Sequence, residues 1–460
     1  MKDLKNLSGP KRFSGFTFMG SRNRRMRPSP AFNLSLPVGQ RLRRLKWGLV
    51  ILAVVLALVP LAVPALKSVV PLWNRYAARN PVRAEAAQTP KSPADALPAS
   101  QADLFETAGI LLEQAEVGSD GLTTARSTDG LRFNYTTQYG LQKRVHDYFE
   151  QYKVPYGVFV AMEPSSGRIL GMTSYSAVNP QWARESYYGL YPMASLFKIV
   201  TATAALESRK ITPQTVVEFR GKSTSENPRF WSAARRGKNN RLDVTYAMGK
   251  SINPVYGRLA CDIAGRASVM ECVDRFGFNQ QLLPGTPARP SQAAGPASDH
   301  GLMLMGAGLD HEVKISPLHA AVVMSAIAND GKMMAPALTS SIIDERGIYR
   351  DRFTPKTVRQ LVTPDTAVSL KQMLSSTVVT GTSRKAFHDR RGRPLINVPI
   401  AAKTGSINGT DPKGHYSWFA AFAPINNPRI ALVALVINQD KWKIKASQVG
   451  QQALEEFFRQ

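Results

Sequence analysis

The apolar positions divide the chain into segments of different period. WGLVILAVVLALVPLAVPAL (47–66) is twenty residues without a charge, the length that crosses a bilayer as a helix. Pro60 and Pro64 disfavour a soluble helix there but are tolerated in a membrane. Residues 78–102 are Ala, Pro and polar residues without periodicity and read as a linker. DLFETAGILLEQAE (103–116) has the spacing of a short amphipathic helix. From about Gly121 the pattern is globular to the end. GLRFNYTTQ alternates like a strand, and LQKRVHDYFEQY has helical spacing. PYGVFVAMEPSSGRILGMTSY reads as a hairpin around Ser-Ser-Gly. HYSWFAAFAP and RIALVALVINQ (429–439) predict two more strands, and ASQVGQQALEEFFR a closing helix. The middle is mostly helical. Strands from both ends and helices between them predict an α+β fold, with one antiparallel sheet joining the chain ends.

Charge orients these segments. The net charge is +26, and residues 1–46 hold twelve Lys/Arg against Asp3 alone, a local +11. Arg41, Arg43, Arg44 and Lys46 crowd the N-terminal flank of the apolar span. The positive-inside rule then keeps residues 1–46 cytoplasmic and sends residues 67–460 across the membrane. A cleaved signal would need a small-x-small site close behind the span. The nearest, Ala84–Ala86, lies some twenty residues on, so an uncleaved anchor is expected. The predicted organisation is a basic tail (1–46), a membrane helix (47–66), an extracytoplasmic linker with a short helix (67–120) and one domain (121–460). Membrane anchoring accounts for the basic tail without nucleic acid.

Two cysteines, Cys261 and Cys272, cannot make a disulfide framework. Gly265 between them can separate two helices, which would let the pair bridge in an oxidising compartment. The six histidines contain no His-Glu-x-x-His and join no Cys cluster, so no metal site is expected. No cofactor motif is present either.

Candidate chemistry begins at YPMASLFKIVTATAALE (191–207). On a helix, Ser195 and Lys198 share a face. A serine hydroxyl needs a base to become a nucleophile. Lysine serves only when neutral, which burial or a neighbouring cation brings about. Met193, Leu196, Phe197, Ile199 and Val200 would keep such a site dry. Alone the pattern is cheap, since Ser8–Lys11 matches it too. Ser251-Ile252-Asn253 follows 56 residues later, ahead of Pro254 at a helix start, and Lys403-Thr404-Gly405-Ser406 another 152 residues on. Ser-x-Asn also occurs at 21–23, 225–227 and 406–408, whereas Lys-Thr-Gly occurs once. Read singly, Ser251 and Asn253 would cap a helix, and 403–406 would form a turn. The ordered set is what carries information. The basic, aromatic stretch RFWSAARRGKNN (229–240) reads first as a solvated loop, second as a contact for glycan or anionic peptide.

With these three motifs in this order, the chain resembles the penicillin-binding transpeptidases. The resemblance runs from about Gly121 to Gln460. It includes VAMEPSSGRILGMTSY, GAGLDHEVKISPLHAAVVMSAIANDGKMMAPAL, LSSTVVTGTSRKAF and GHYSWFAAFAP. It implies a transpeptidase/β-lactamase-like fold, an antiparallel sheet flanked by helices plus an all-helical subdomain. It also implies roles. Ser195 would be acylated, with Lys198 accepting its proton. Ser251 would relay a proton to the leaving group, and Asn253 would hold the peptide amide. Lys403 would bring positive charge, and Thr404 and Ser406, flanking Gly405, would hold the substrate carboxylate. The N–H groups of Ser195 and Ser406 would form the oxyanion hole. Ser406 stands where the family more often has Thr, and 306–308 reads Gly-Ala-Gly where Gly-Gln-Gly is commoner.

The resemblance implies a peptidoglycan D,D-transpeptidase of the bacterial inner membrane. It would cross-link stem peptides ending in D-Ala-D-Ala and be inhibited by β-lactams. About 55 residues between the span and Gly121 leave no room for a glycosyltransferase domain, so a separate polymerase is the expected partner. A D,D-carboxypeptidase and a serine β-lactamase share the motifs. Between Ser251 and Lys403 the glutamates are Glu271, Glu312 and Glu345, none in the Glu-x-x-x-Asn setting of a class A β-lactamase. A non-catalytic penicillin sensor or wall-synthesis scaffold is the alternative of another class.

Overall fold

A computed structural model of the chain describes residues 100–119 and 121–459. The basic tail, the apolar span and most of the linker lie outside the described residues. No helix among the described residues is long and apolar enough to cross a membrane.

Five strands form the central sheet: β1 (Tyr156–Met162), β2 (Ile169–Tyr175), β3 (Ala401–Thr410), β4 (Lys413–Ala423) and β5 (Ile430–Asn438). Their order is β3-β4-β5-β1-β2, antiparallel throughout. The join between the two chain ends is β5 on β1, with Ala431 opposite Met162 and Ile437 opposite Tyr156. This is the sheet the sequence pattern predicts. Along β5, Ala431, Val433, Leu435 and Ile437 enter one core and Ile430, Leu432, Ala434 and Val436 the other. Both faces are covered, which is why this strand reads as an unbroken apolar run rather than an alternation.

The helices Tyr139–Gln151 and Ala446–Arg459 cover one face. The first buries Leu141, Val145 and Phe149, one stripe at i, i+4 and i+8. Against the other face packs Pro317–Ala328, buried at every position. Its His319 sits between the Ser291 hydroxyl (2.7 Å) and the Phe276 carbonyl (2.9 Å). Burial pulls this imidazole down to about 4, so it is neutral at physiological pH. The helix Lys198–Glu207 is buried from Lys198 to Ala205 and runs through the same core.

A second five-stranded sheet pairs Arg132–Tyr135 with Thr339–Ile343. The predicted strand in GLRFNYTTQ therefore exists, but outside the central sheet. The N-terminal helix, Gln101–Leu111, starts at a capping box made by Ser100 and Asp103. It belongs to the folded body: Phe105, Ala108 and Leu112 are buried in the core, and Tyr135 Oη donates to the Ala108 carbonyl (2.8 Å).

The helical middle contains Val244–Lys250, Asn253–Arg258, a π-helical turn Leu259–Ala264, Arg266–Arg275 and Asp299–Ala307. Gly265 (φ +84°) does break the chain between two helical segments. The disulfide this break would allow is not formed: Cys261 and Cys272 are free thiols. Burial raises both thiols to about 11.

Candidate active site

The chain enters the site at Tyr191–Pro192 and turns through a 3-10 segment, Ala194–Phe197, into the Lys198–Glu207 helix. Ser195 sits on that turn. Ala194 has φ +53°, a left-handed conformation unusual for a residue with a Cβ. Three neighbours over-determine it. Trp418 Nε1 on β4 donates to the Pro192 carbonyl (2.9 Å). A Cβ on Gly405 would come within 3.2 Å of the Ala194 Cβ. A Cβ on Gly308 would meet the Ala194 carbonyl at 2.2 Å. Glycine is therefore required at 308, where φ is also +69°.

The predicted residues converge from three elements. Lys198 Nζ is 2.7 Å from Ser195 Oγ, 2.9 Å from Asn253 Oδ1 and within hydrogen-bond distance of the Ala307 carbonyl. Asn253 begins the helix whose Pro254 occupies the first turn. Ser251 is not an N-cap. It ends the Val244–Lys250 helix in a left-handed conformation (φ +57°, ψ 44°). Residues 403–406 are not a turn but part of β3, the edge strand. Lys403 Nζ donates to Ser251 Oγ (2.9 Å) and to the Thr404 carbonyl (2.7 Å). Thr404 and Ser406, two residues apart on the strand, share one face. Thr404 Oγ1 is 2.5 Å from Thr382 Oγ1.

Lys198 and Lys403 are both fully buried. Burial first, and the charge of Lys403 second, hold Lys198 well below the usual lysine range. Burial brings Lys403 down to about 7. A neutral amine has two protons and one lone pair. The Asn253 and Ala307 oxygens are acceptors only and take the two protons. A neutral Lys198 with both protons so taken would have its lone pair free toward Ser195 Oγ, 2.7 Å away. An amine so placed is able to serve as base to a serine hydroxyl.

Ser195, Ser251, Asn253, Thr404, Gly405 and Ser406 line one cleft of about 360 Å³. Motif reading missed other contributors. The Ala307 carbonyl belongs to the Gly-Ala-Gly segment but carries no side-chain signal. Thr224 and Glu226 line the same cleft from the 224–227 loop. Ser225 anchors that loop: its carbonyl accepts from Asn253 Nδ2 (3.3 Å) and its Oγ from Trp231 Nε1 (3.0 Å). Trp231 is buried against Gly257. In the basic stretch 229–240 it is thus an anchor, while Arg235, Arg236 and Lys238 face solvent.

The sequence model of the penicillin-binding protein transpeptidase domain matches residues 157–460, and the chain belongs to that family. It is 28% identical over 318 residues to the peptidoglycan D,D-transpeptidase PbpA of Mycolicibacterium smegmatis, covering 61% of each chain. It is 27% identical over 342 residues to the stage V sporulation protein D of Bacillus subtilis, covering 67% of this chain and 50% of that one. The chain thus spans about three-fifths or less of the length of these curated relatives. Among solved structures, penicillin-binding protein A from M. tuberculosis in its imipenem acyl-enzyme complex superposes with a TM-score of 0.58 at 23% identity. That match covers 71% of this chain and 79% of the other. The D,D-transpeptidase domain of a peptidoglycan glycosyltransferase from Eggerthella lenta gives 0.61 at 22%, covering 79% and 91%. The fold is that of the transpeptidases.

Proposed function

We propose that the chain is a peptidoglycan D,D-transpeptidase working through a Ser195 acyl-enzyme. The observation that carries this reading is the buried Lys198, held well below the usual lysine range, with its Nζ 2.7 Å from Ser195 Oγ. The acyl donor is a stem peptide ending in D-Ala-D-Ala. Its terminal carboxylate lies against Thr404 and Ser406, and Asn253 holds the peptide amide. Lys198 takes the Ser195 proton as Oγ attacks the penultimate carbonyl. The N–H groups of Ser195 and Ser406 receive the oxyanion. Ser251, bonded to Lys403, passes a proton to the departing D-Ala amine. The amine of a second stem then takes the acyl group. A β-lactam enters as a donor whose leaving group stays tethered. The relatives named for D,D-transpeptidation and the β-lactam acyl-enzyme of the M. tuberculosis protein support this chemistry.

The basic flank and the uncharged stretch 47–66 support a single-pass anchor in the bacterial inner membrane, with the domain outside the cytoplasm. A separate glycosyltransferase then supplies the glycan strands.

The test is covalent labelling by a fluorescent penicillin, wild type beside Ser195→Ala. Label stable for hours on the wild type and absent from the variant is expected. Label shed within minutes would point instead to a β-lactamase, and no label on folded wild type to a scaffold.

A further inference from the structure

The catalytic cleft opens past Ser406 into a second cavity of about 350 Å³. Glu226, Leu309 and Ser406 line both. One amine lines the first cavity, the exposed Lys445, and two buried ones, Lys198 and Lys403, bond to its lining residues Ser195 and Ser251. Among the described lining residues of either cavity, Glu226 is the only carboxylate. It is exposed and makes no ion pair or hydrogen bond with another described residue. Its backbone is nevertheless held in place. The Ser225 carbonyl is tied to Asn253, the Ser225 hydroxyl to the buried Trp231. A single unpaired carboxylate lining the same cavity as Ser195, in a chain of charge +26, is an unusual placement.

A transpeptidase must bring in two substrates of opposite local charge. The donor presents a carboxylate, which Lys403 and the hydroxyls of β3 suit. The acceptor presents an amine, which is an ammonium at neutral pH and is repelled by the positive charge that suits the carboxylate. We infer that Glu226 is the acceptor-recognition residue, docking the ammonium of the incoming stem at the junction of the two cavities. The inference rests on the acyl-transfer reading above. The docked ammonium releases one proton to solvent. Its nitrogen attacks the acyl carbonyl, the ester bond to Ser195 Oγ breaks, an amide bond forms, and the second amine proton passes to Oγ. Glu226 itself exchanges no proton in this sequence; its charge raises the local concentration of the acceptor and positions it.

The test partitions the acyl-enzyme of the full chain between water and added amine. A D-alanyl thioester serves as donor. D-Alanine serves as an ammonium acceptor and hydroxylamine as one uncharged at neutral pH. Wild type, Glu226→Gln and Glu226→Asp are compared, with fluorescent-penicillin labelling and thermal unfolding as checks on the site and the fold. In Glu226→Gln the D-alanine concentration giving half-maximal aminolysis should rise roughly fivefold, the loss of one solvated ion pair. Acylation, hydrolysis and transfer to hydroxylamine should be unchanged, and Glu226→Asp should recover most of the D-alanine effect. An unchanged D-alanine dependence in a Glu226→Gln protein that still labels overturns the inference alone. So does a selective loss of hydrolysis, which would make Glu226 the group that activates water. A wild type that is acylated but never aminolysed also overturns it and leaves the acylation standing. A wild type that takes no penicillin overturns the acyl-transfer reading and the inference together.

Discussion

Lys198 and Lys403 are amines placed where water cannot reach them, and the charge of Lys403 adds to burial in lowering Lys198. In the proposed mechanism acylation needs neutral Lys198, so its rate should rise with pH through the Lys198 pKa. Burial is the larger cause of the low value and the Lys403 charge the second. Below about 7, Lys403 carries that charge. Removing it lifts the Lys198 pKa and shrinks the neutral fraction at any given pH. In Lys403→Gln the rising limb of the penicillin acylation profile should therefore move to higher pH. The comparison is of limb position, because the height also reflects lost carboxylate binding. A limb that stays in place would remove Lys403 from the control of Lys198. At this scale the motif residues were legible in the sequence because side-chain identity and order carry them. The Ala307 carbonyl was not, since any residue offers a backbone oxygen. Glu226 was not, since its Ser-Glu-Asn setting repeats a cheap pattern and only the Trp231 anchor places it in the cleft. The thiol pair was open in the sequence, and the structure settles it as unbridged.

Elements bring these residues together through contacts that leave no room for a side chain. The end of the Asp299–Ala307 helix presses Gly308 against the Ala194 carbonyl, on the residue before the nucleophile. Gly308→Ala adds a methyl at 2.2 Å from that oxygen and a Cβ in a left-handed conformation. The Ala194–Phe197 turn must yield, and Ser195 moves relative to Lys198. Penicillin acylation should fall at least tenfold, with a lower unfolding temperature. Acylation at the wild-type rate would show that the turn does not depend on this contact. The central strands were legible because each is a long apolar or alternating run. The second sheet was not: its strands are two to five residues long. Its central pairing, Phe133 with Ile342, joins parts of the chain whose local pattern says nothing of each other. The same limit made 403–406 look like a turn. Lys-Thr-Gly-Ser has weak strand propensity, and its ten-residue ladder with β4 overrides it.

The whole molecule closes on itself. The first hairpin and the last three strands share one sheet, so both chain ends must be present before either core is complete. The N-terminal helix adds to this closure. The sequence pattern places a domain boundary near Gly121, because a polar, Pro-rich linker precedes it and the helix between is short. Yet Phe105 and Leu112 are more than nine-tenths buried, and each such side chain contributes about 1.5–3 kcal/mol by leaving water. Part of that gain offsets the ordering of the helix backbone. Tyr135 would also lose its acceptor, the Ala108 carbonyl, and its hydroxyl would be left where burial now holds it protonated. A chain beginning at Gly121 should then unfold several degrees below one beginning at Ser100, with Ser195 still acylated at low temperature, since no residue of the helix lines the cleft. Thermal unfolding of the two chains, each with and without bound penicillin, measures this. Equal midpoints would place the folded boundary at Gly121 and make the helix an ornament of the linker. A lower midpoint would place it at Ser100.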